Sequence, residues 1–265
     1  VTATDAAATG AAPSPAELFD LTGRTAVVTG ASSGLGVRFA RVLAAAGATV
    51  VVAARRAERL AEVAAGDDRM HPLVADVSAE ADRAALIEAA CSAGSGTIDV
   101  LVNNAGVESA GKPAEESPAG FAGVLDTNLV APFHLAQLAA RHPGPDGLSI
   151  VNISSVLGLV SAAPLGGASY AASKAGLIGL TRELAGHWGA GGVRANALAP
   201  GWFRTEMNDA LFDDERSVRW IERNTMLRRP GRPCELDTAL LFLAAPASSY
   251  LTGQVLTVDG GWTAR

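Results

Sequence analysis

Thr25-Ala26-Val27-Val28-Thr29, followed by Gly30-Ala31-Ser32-Ser33-Gly34-Leu35-Gly36, decides the fold of this chain. The first five residues are a short, β-rich apolar run, a strand in the making. Val37 to Ala46 then reads as a helix that stops at Gly47. Strand, glycine turn and helix in this order make a phosphate site. The glycines let the backbone approach a pyrophosphate, and the helix N-terminus adds amide donors and a partial positive charge. Gly30, Ser32, Ser33, Gly34, Leu35 and Gly36 are therefore candidate cofactor contacts. Outside this context a glycine turn would read as a flexible loop. The spacing is G-x-x-x-G-x-G, a departure from the general dinucleotide fingerprint G-x-G-x-x-G.

The pattern repeats outward from there. Ala48 to Ala54 is nearly all Val and Ala, as expected of a strand buried on both faces of a parallel sheet. Arg55-Arg56 opens a loop and Ala57 to Ala65 a helix. A third strand, His71 to Ala75, ends at Asp76-Val77; Asp76 also suits the N-cap of a helix starting near Ala79. Ile98 to Val102 runs into Asn103-Asn104-Ala105-Gly106. Glu108 to Glu116 reads as a polar loop. A long helix is expected from about Pro118 to Arg141, with Asn128 inside it, where Asn is unfavourable. Leu148 to Ile153, Val193 to Leu198 and Gln254 to Val258 complete seven strands. Strands alternating with helices imply an α/β class: a doubly wound, seven-stranded parallel sheet flanked by helices, Rossmann-like and in a single domain.

The chemistry gathers at Tyr170-Ala171-Ala172-Ser173-Lys174, in a helix expected from Ala168 to His187. Residues four apart share a helix face, so Tyr170 and Lys174 lie side by side. A free phenol titrates near ~10, and a fixed ammonium beside it lowers that value. On this reading Lys174 makes Tyr170 a general acid/base. Ser155 follows the strand Val151-Asn152-Ile153, at the strand end where ligands bind in open α/β sheets. Its hydroxyl would hold the oxygen of a carbonyl or alcohol. Taken singly, Tyr and Lys suit a solvated helix face and Ser155 a turn.

Together, Thr-Gly-x-x-x-Gly-x-Gly, Asn-Asn-Ala-Gly, Ser and Tyr-x-x-x-Lys resemble the short-chain dehydrogenase/reductase family over about residues 22 to 263. The resemblance implies that Asp76 and Val77 flank an adenine ring, and that Asn104, Ala105 and Gly106 line the cofactor cleft. It implies that Tyr170 and Lys174 bond the nicotinamide ribose, and that Thr205, after Pro200-Gly201, bonds the nicotinamide end. It implies that Asn128 holds a water linking Lys174 to solvent. The loop from Ser155 to Tyr170 is about two residues longer than the family usually has. Family members commonly form tetramers through the helices matching Pro118 to Arg141 and Ala168 to His187, with Asp259 to Trp262 at a second contact. A homotetramer is expected here too, since both helices are Ala- and Leu-rich on more than one face.

Composition sets the bounds. The chain has 265 residues, 49% of them hydrophobic, and a net charge of -6, without the basic face that nucleic acid needs. No apolar run is long enough to span a membrane. Val1 to Pro15 reads as a mobile tail ahead of the domain at 16–265, without the features of a signal peptide. Cys91 and Cys234 make no disulfide framework, which fits a cytoplasmic setting. The four histidines lack ligand spacing, so no metal is expected.

The expected function is interconversion of a ketone and a secondary alcohol with a nicotinamide cofactor. A non-catalytic nucleotide-binding protein on the same fold is the alternative; enoyl reduction fits less well, because relatives that perform it separate Tyr and Lys by more residues. NADP(H) is favoured over NAD(H), which stays usable. Ala54 supplies no carboxylate against a ribose 2′-phosphate and Arg55 offers a planar cationic fork, unless both arginines are ordinary solvated charges. Against that, Ser33 stands where many NADP-binding relatives carry a basic residue. Trp202, Phe203, Met207, Leu211, Phe212, Trp220, Ile221, Met226 and Leu227 suggest a substrate lid at about 202–227 and a bulky, apolar or cyclic small-molecule substrate.

Overall fold

The computed structural model describes residues 12–108, 112–163 and 167–265. The expected N-terminal tail lies outside the described residues up to residue 11. From Ser14 the chain is ordered into a short helix, α1 (Pro15–Leu18), with reciprocal Ser14–Glu17 capping bonds.

Seven parallel strands follow: β1 (Thr25–Thr29), β2 (Thr49–Ala54), β3 (Met70–Val74), β4 (Val100–Asn103), β5 (Leu148–Ile153), β6 (Val193–Pro200) and β7 (Val255–Val258). They lie in the order β3-β2-β1-β4-β5-β6-β7. Val27 is in register with Val51 on one side and Leu101 on the other. Successive side chains of a strand point to opposite faces, and both faces here are apolar. Ala26, Val28, Val50 and Val52 pack with Phe39 and Leu43 of α2 (Gly34–Ala45) and Leu240 and Leu243 of α10 (Asp237–Ala244). Val27, Val51, Leu101 and Ile150 pack on the other face with Leu86, Leu135 and Leu184. Those three belong to α4 (Glu80–Ala93), α6 (Ala131–Ala139) and α7 (Ala168–Trp188). A fully buried Val or Leu stabilises the fold by roughly 1.5–3 kcal/mol, which explains the near-continuous Val/Ala composition of the central strands.

The remaining helices are α3 (Ala57–Ala64), α5 (Pro118–Leu125), α8 (Asp209–Asp213) and α9 (Glu215–Asn224). The long helix expected over Pro118 to Arg141 is corrected. It divides into α5 and α6 around a π-turn, Asp126–Val130. Pro132 explains the break, since it has no N–H to offer the Asn128 carbonyl four residues back. The Ala131 amide bonds Asp126, five residues back, instead. The bulge turns Asn128 fully inward.

Two polar chains tie this frame together. Asn103 donates to Asn152 (2.9 Å), and Asn152 donates to Thr181 (2.9 Å), joining β4, β5 and α7. The Asn104 side chain donates to the Thr29 carbonyl (2.9 Å), and the Thr29 hydroxyl accepts from the amides of Asn104 and Ala105. The ends of β1 and β4 are thus locked where the strand order reverses, the place where open α/β sheets bind ligands.

Candidate active site

A cleft of about 830 Å³ opens over the C-terminal ends of the strands. All the positions assigned to the cofactor from the sequence line it, as do Ser155, Tyr170 and Lys174. Asn128 lies beneath the floor.

The glycine turn is shaped for close approach. A Cβ on Gly36 would stand 2.2 Å from the Gly30 carbonyl oxygen, and one on Gly30 would stand 2.8 Å from the Ala105 Cα. Gly34 has φ +55, a left-handed conformation suited to glycine, at the start of α2. The first turn of α2 therefore presents its amides to the cleft without side-chain obstruction. These features fit a dinucleotide pyrophosphate.

Beyond the turn, the two arginines separate. Arg56 donates to both carboxylate oxygens of Glu206 (2.7 and 2.9 Å) and to the Ser32 hydroxyl (3.3 Å). Arg55 lines the cleft and makes no hydrogen bond or ion pair among the described residues. Hydrogen bonds from Arg56 first, then Ser33, pull the Glu206 carboxyl down to about 2. Asp76 accepts from the Ser78 amide and hydroxyl (2.9 and 2.8 Å), which hold its carboxyl below the usual range. It shapes the turn ahead of α4, whose N-cap is Ala79; the sequence reading of Asp76 as that cap is corrected.

Tyr170 and Lys174 sit one turn apart on α7, with the Lys174 Nζ 5.5 Å from the centre of the Tyr170 ring. Lys174 donates to the Ile153 carbonyl (2.8 Å). Ser155 hydrogen-bonds the phenol, and its Oγ accepts from the Leu157 amide (3.1 Å). The expected electrostatics are corrected. Burial pushes the Tyr170 phenol up to about 12; the Ser155 bond opposes this and the Glu108 charge adds to it. Burial also pulls the Lys174 ammonium down to about 8. Desolvation penalises both ions and outweighs the attraction that helical spacing alone suggested.

Asn128 is occupied differently from the expectation. Its Oδ1 accepts from the Val107 amide (2.8 Å), while its Nδ2 donates to the Val107 carbonyl (2.8 Å) and to the Ser173 hydroxyl (3.0 Å). The side chain thus clamps the strand-end segment to α7.

Over the cleft, Thr205 caps a short turn and stands above Gly34, 3.4 Å from where a Cβ there would be. Trp202, Trp220 and Trp262 pack together, their ring centres 4.9 to 5.8 Å apart. Trp262 is 2% exposed. It is covered by its own chain, so the expected second subunit contact cannot use this ring. Phe203 and Ile221 are core residues. The sequence reading missed Glu108 and Glu206 as wall residues, because both lie in stretches without periodicity.

The fold and this site define a dinucleotide-dependent oxidoreductase. A family model described as enoyl-(acyl carrier protein) reductase matches residues 30–263. The chain is 41% identical over 254 residues to gluconate 5-dehydrogenase of Gluconobacter oxydans (strain 621H), covering 93% of this chain and 97% of that protein. It is 38% identical over 251 residues to a tropinone reductase homologue of Arabidopsis thaliana, covering 92% and 94%. Among solved structures, gluconate 5-dehydrogenase from Burkholderia cenocepacia J2315, in complex with NADP and tartrate, matches with a TM-score of 0.88 at 37% identity, covering 95% of this chain and 100% of that one. The chain belongs to the short-chain dehydrogenase/reductase family and is an NAD(P)-dependent oxidoreductase acting on CH–OH and C=O groups. No helix among the described residues is long and apolar enough to cross a membrane.

Proposed function

We propose that the protein interconverts a ketone and a secondary alcohol of bulky, largely apolar or cyclic build, with NADP(H) preferred and NAD(H) usable. The observation that carries this reading is the convergence of Tyr170, Ser155 and Lys174 in one cleft with the glycine turn and Arg55. The glycine turn and the first amides of α2 would hold the pyrophosphate, and Arg55 the 2′-phosphate. When bound, the nicotinamide supplies or takes the hydride. Ser155 Oγ holds the substrate oxygen and Tyr170 donates the proton to it, or takes it from the alcohol. Lys174 fixes the ribose beside them, and an Asn128-held water replenishes its proton. Residues 202–227 act as the lid, with apolar Met207 and Leu211 facing the cleft. NADP-bound relatives support the cofactor preference.

The experiment compares kcat/KM for NADPH and NADH, on a ketone panel, in the parent and in Ala54→Asp/Arg55→Ala. The parent should favour NADPH and the double variant should lose that preference by about tenfold or more. A parent preference for NADH, or an unmoved ratio, removes Arg55 from this role. We also infer a cytoplasmic homotetramer. Exposed Val130 (47%) and Phe133 (41%), on the π-turn and α6, support burial against a second copy. A monomer by light scattering at micromolar concentration rules the tetramer out.

A further inference from the structure

Charge is distributed unevenly along the cleft. Its cofactor end carries Arg55, Arg56 and Asp76. After Ser155 the wall is apolar, with Val156, Leu157 and Trp202 packed together, and among the described residues Glu108 lines the same cleft with its charge felt at Tyr170.

Glu108 is held in place from beneath. The residue before it, Val107, is gripped at both its amide and its carbonyl by the carboxamide of the fully buried Asn128. Glu108 itself makes no hydrogen bond or ion pair among the described residues. It keeps solvent access on one side, yet the cleft walls desolvate it enough to raise its carboxyl. Its negative charge also makes Tyr170 harder to ionise. An exposed carboxylate at the cleft, whose charge is felt at the acid/base and which has no counter-ion among the described residues, favours a ligand that brings the opposite charge.

Resting on the ketone–alcohol reading above, we propose that Glu108 selects a substrate bearing a protonated amine on the far side of its ring or chain from the reacting carbon. The ammonium pairs with Glu108 while Ser155 and Tyr170 hold the oxygen. The pair also neutralises the charge that opposes Tyr170 ionisation, so the same group that binds the substrate eases removal of the alcohol proton. A carboxylated substrate would meet like charge at Glu108.

Three ketones of matched shape test this: N-methylpiperidone, which is cationic at neutral pH; methylcyclohexanone, which is neutral; and oxocyclohexane carboxylate, which is anionic. Each is assayed for kcat/KM with NADPH and NADH in the parent, in Glu108→Gln and in Glu108→Lys. The parent should rank cation over neutral over anion, with about tenfold or more between the first two. Within Glu108→Gln the ratio of cation to neutral should fall toward one, and Glu108→Lys should favour the anion. The alkaline limb of alcohol oxidation should also move to lower pH in Glu108→Gln, because a charge opposing Tyr170 is gone. Turnover of methylcyclohexanone with no preference for the cation, or with preference for the anion, overturns the role of Glu108 and leaves the oxidoreductase standing. The parent ranking settles this even if a variant fails to fold. No turnover of any member with either cofactor overturns the ketone–alcohol reading at this site, and the proposal with it.

Discussion

The two ends of the cleft are built on different principles. At the cofactor end the shape is set by backbone and glycine. Gly30 and Gly36 sit where no Cβ fits, and Asn104 stitches β4 to β1. At the substrate end the shape is set by side chains on short segments: Glu108, the turn after Ser155, and the stretch from Trp202 into α8. At Gly30 and Gly36 the first end leaves no room for a side chain, which keeps the backbone open to one ligand class. The second can change its walls while the sheet stays the same, which is how one fold serves many substrates.

Chemistry sits at the seam between the ends, and breaking it should have the largest effect. Tyr170→Phe keeps the ring and removes the proton donor. Turnover should fall by roughly 100-fold or more, equivalent to about 2.7 kcal/mol, with NADPH affinity largely kept. Because burial holds the phenol near about 12, it stays protonated through neutral pH. Ketone reduction, which needs the proton, should be flat across neutral pH. Alcohol oxidation, which needs the phenolate, should climb as pH rises. Near-parent turnover in Tyr170→Phe, or oxidation that falls with rising pH, contradicts the assignment.

Gly36→Ala attacks the rigid end. The new Cβ would lie 2.2 Å from the Gly30 carbonyl oxygen and 2.6 Å from Asn104 Nδ2, so β1, β4 or the turn must shift. Overpacking of this kind costs about 1–3 kcal/mol. Calorimetry should show a lower Tm, and titration a loss of NADPH affinity of about tenfold, while any protein that does bind cofactor keeps its substrate ranking. An altered substrate ranking would mean that the two ends are not independent.

The same contrast explains what the sequence made legible. Strand and helix identity, the glycine turn and the Tyr170–Lys174 pair were readable because each rests on local periodicity or on i,i+4 geometry. The split at Asp126–Val130 was not read, although Pro132 was the visible signal and Asn128 the reason to look. The raised Tyr170 pKa depends on burial, which spacing does not encode. Glu108 and Glu206 were invisible as wall residues because their loops acquire meaning only once the sheet brings them beside residues about 60 and 150 positions away.

The smallest effect is expected where the two ends touch. Glu206, in the segment over the cleft, reaches Arg56 and Ser33 at the cofactor end. Both ion-pair partners are about half exposed, at 44% and 54%, so the latch should add less than about 1 kcal/mol to stability. Its carboxyl is depressed to about 2. The stabilisation is therefore present above the ordinary carboxylate range and is lost only as pH falls through about 2, so neutral-pH stability should not depend on it. Its larger consequence is electrostatic. While paired, Glu206 cancels a guanidinium that lies beside Ser32, next to Arg55. Glu206→Ala releases Arg56, giving the 2′-phosphate a second cation. The ratio of NADH to NADPH dissociation constants should rise by about two- to fivefold at low salt and shrink toward the parent value at high salt, as screening predicts. A ratio that is unchanged or lower at low salt would mean that Glu206 anchors the lid without tuning the phosphate end, and that the two ends meet there by packing alone.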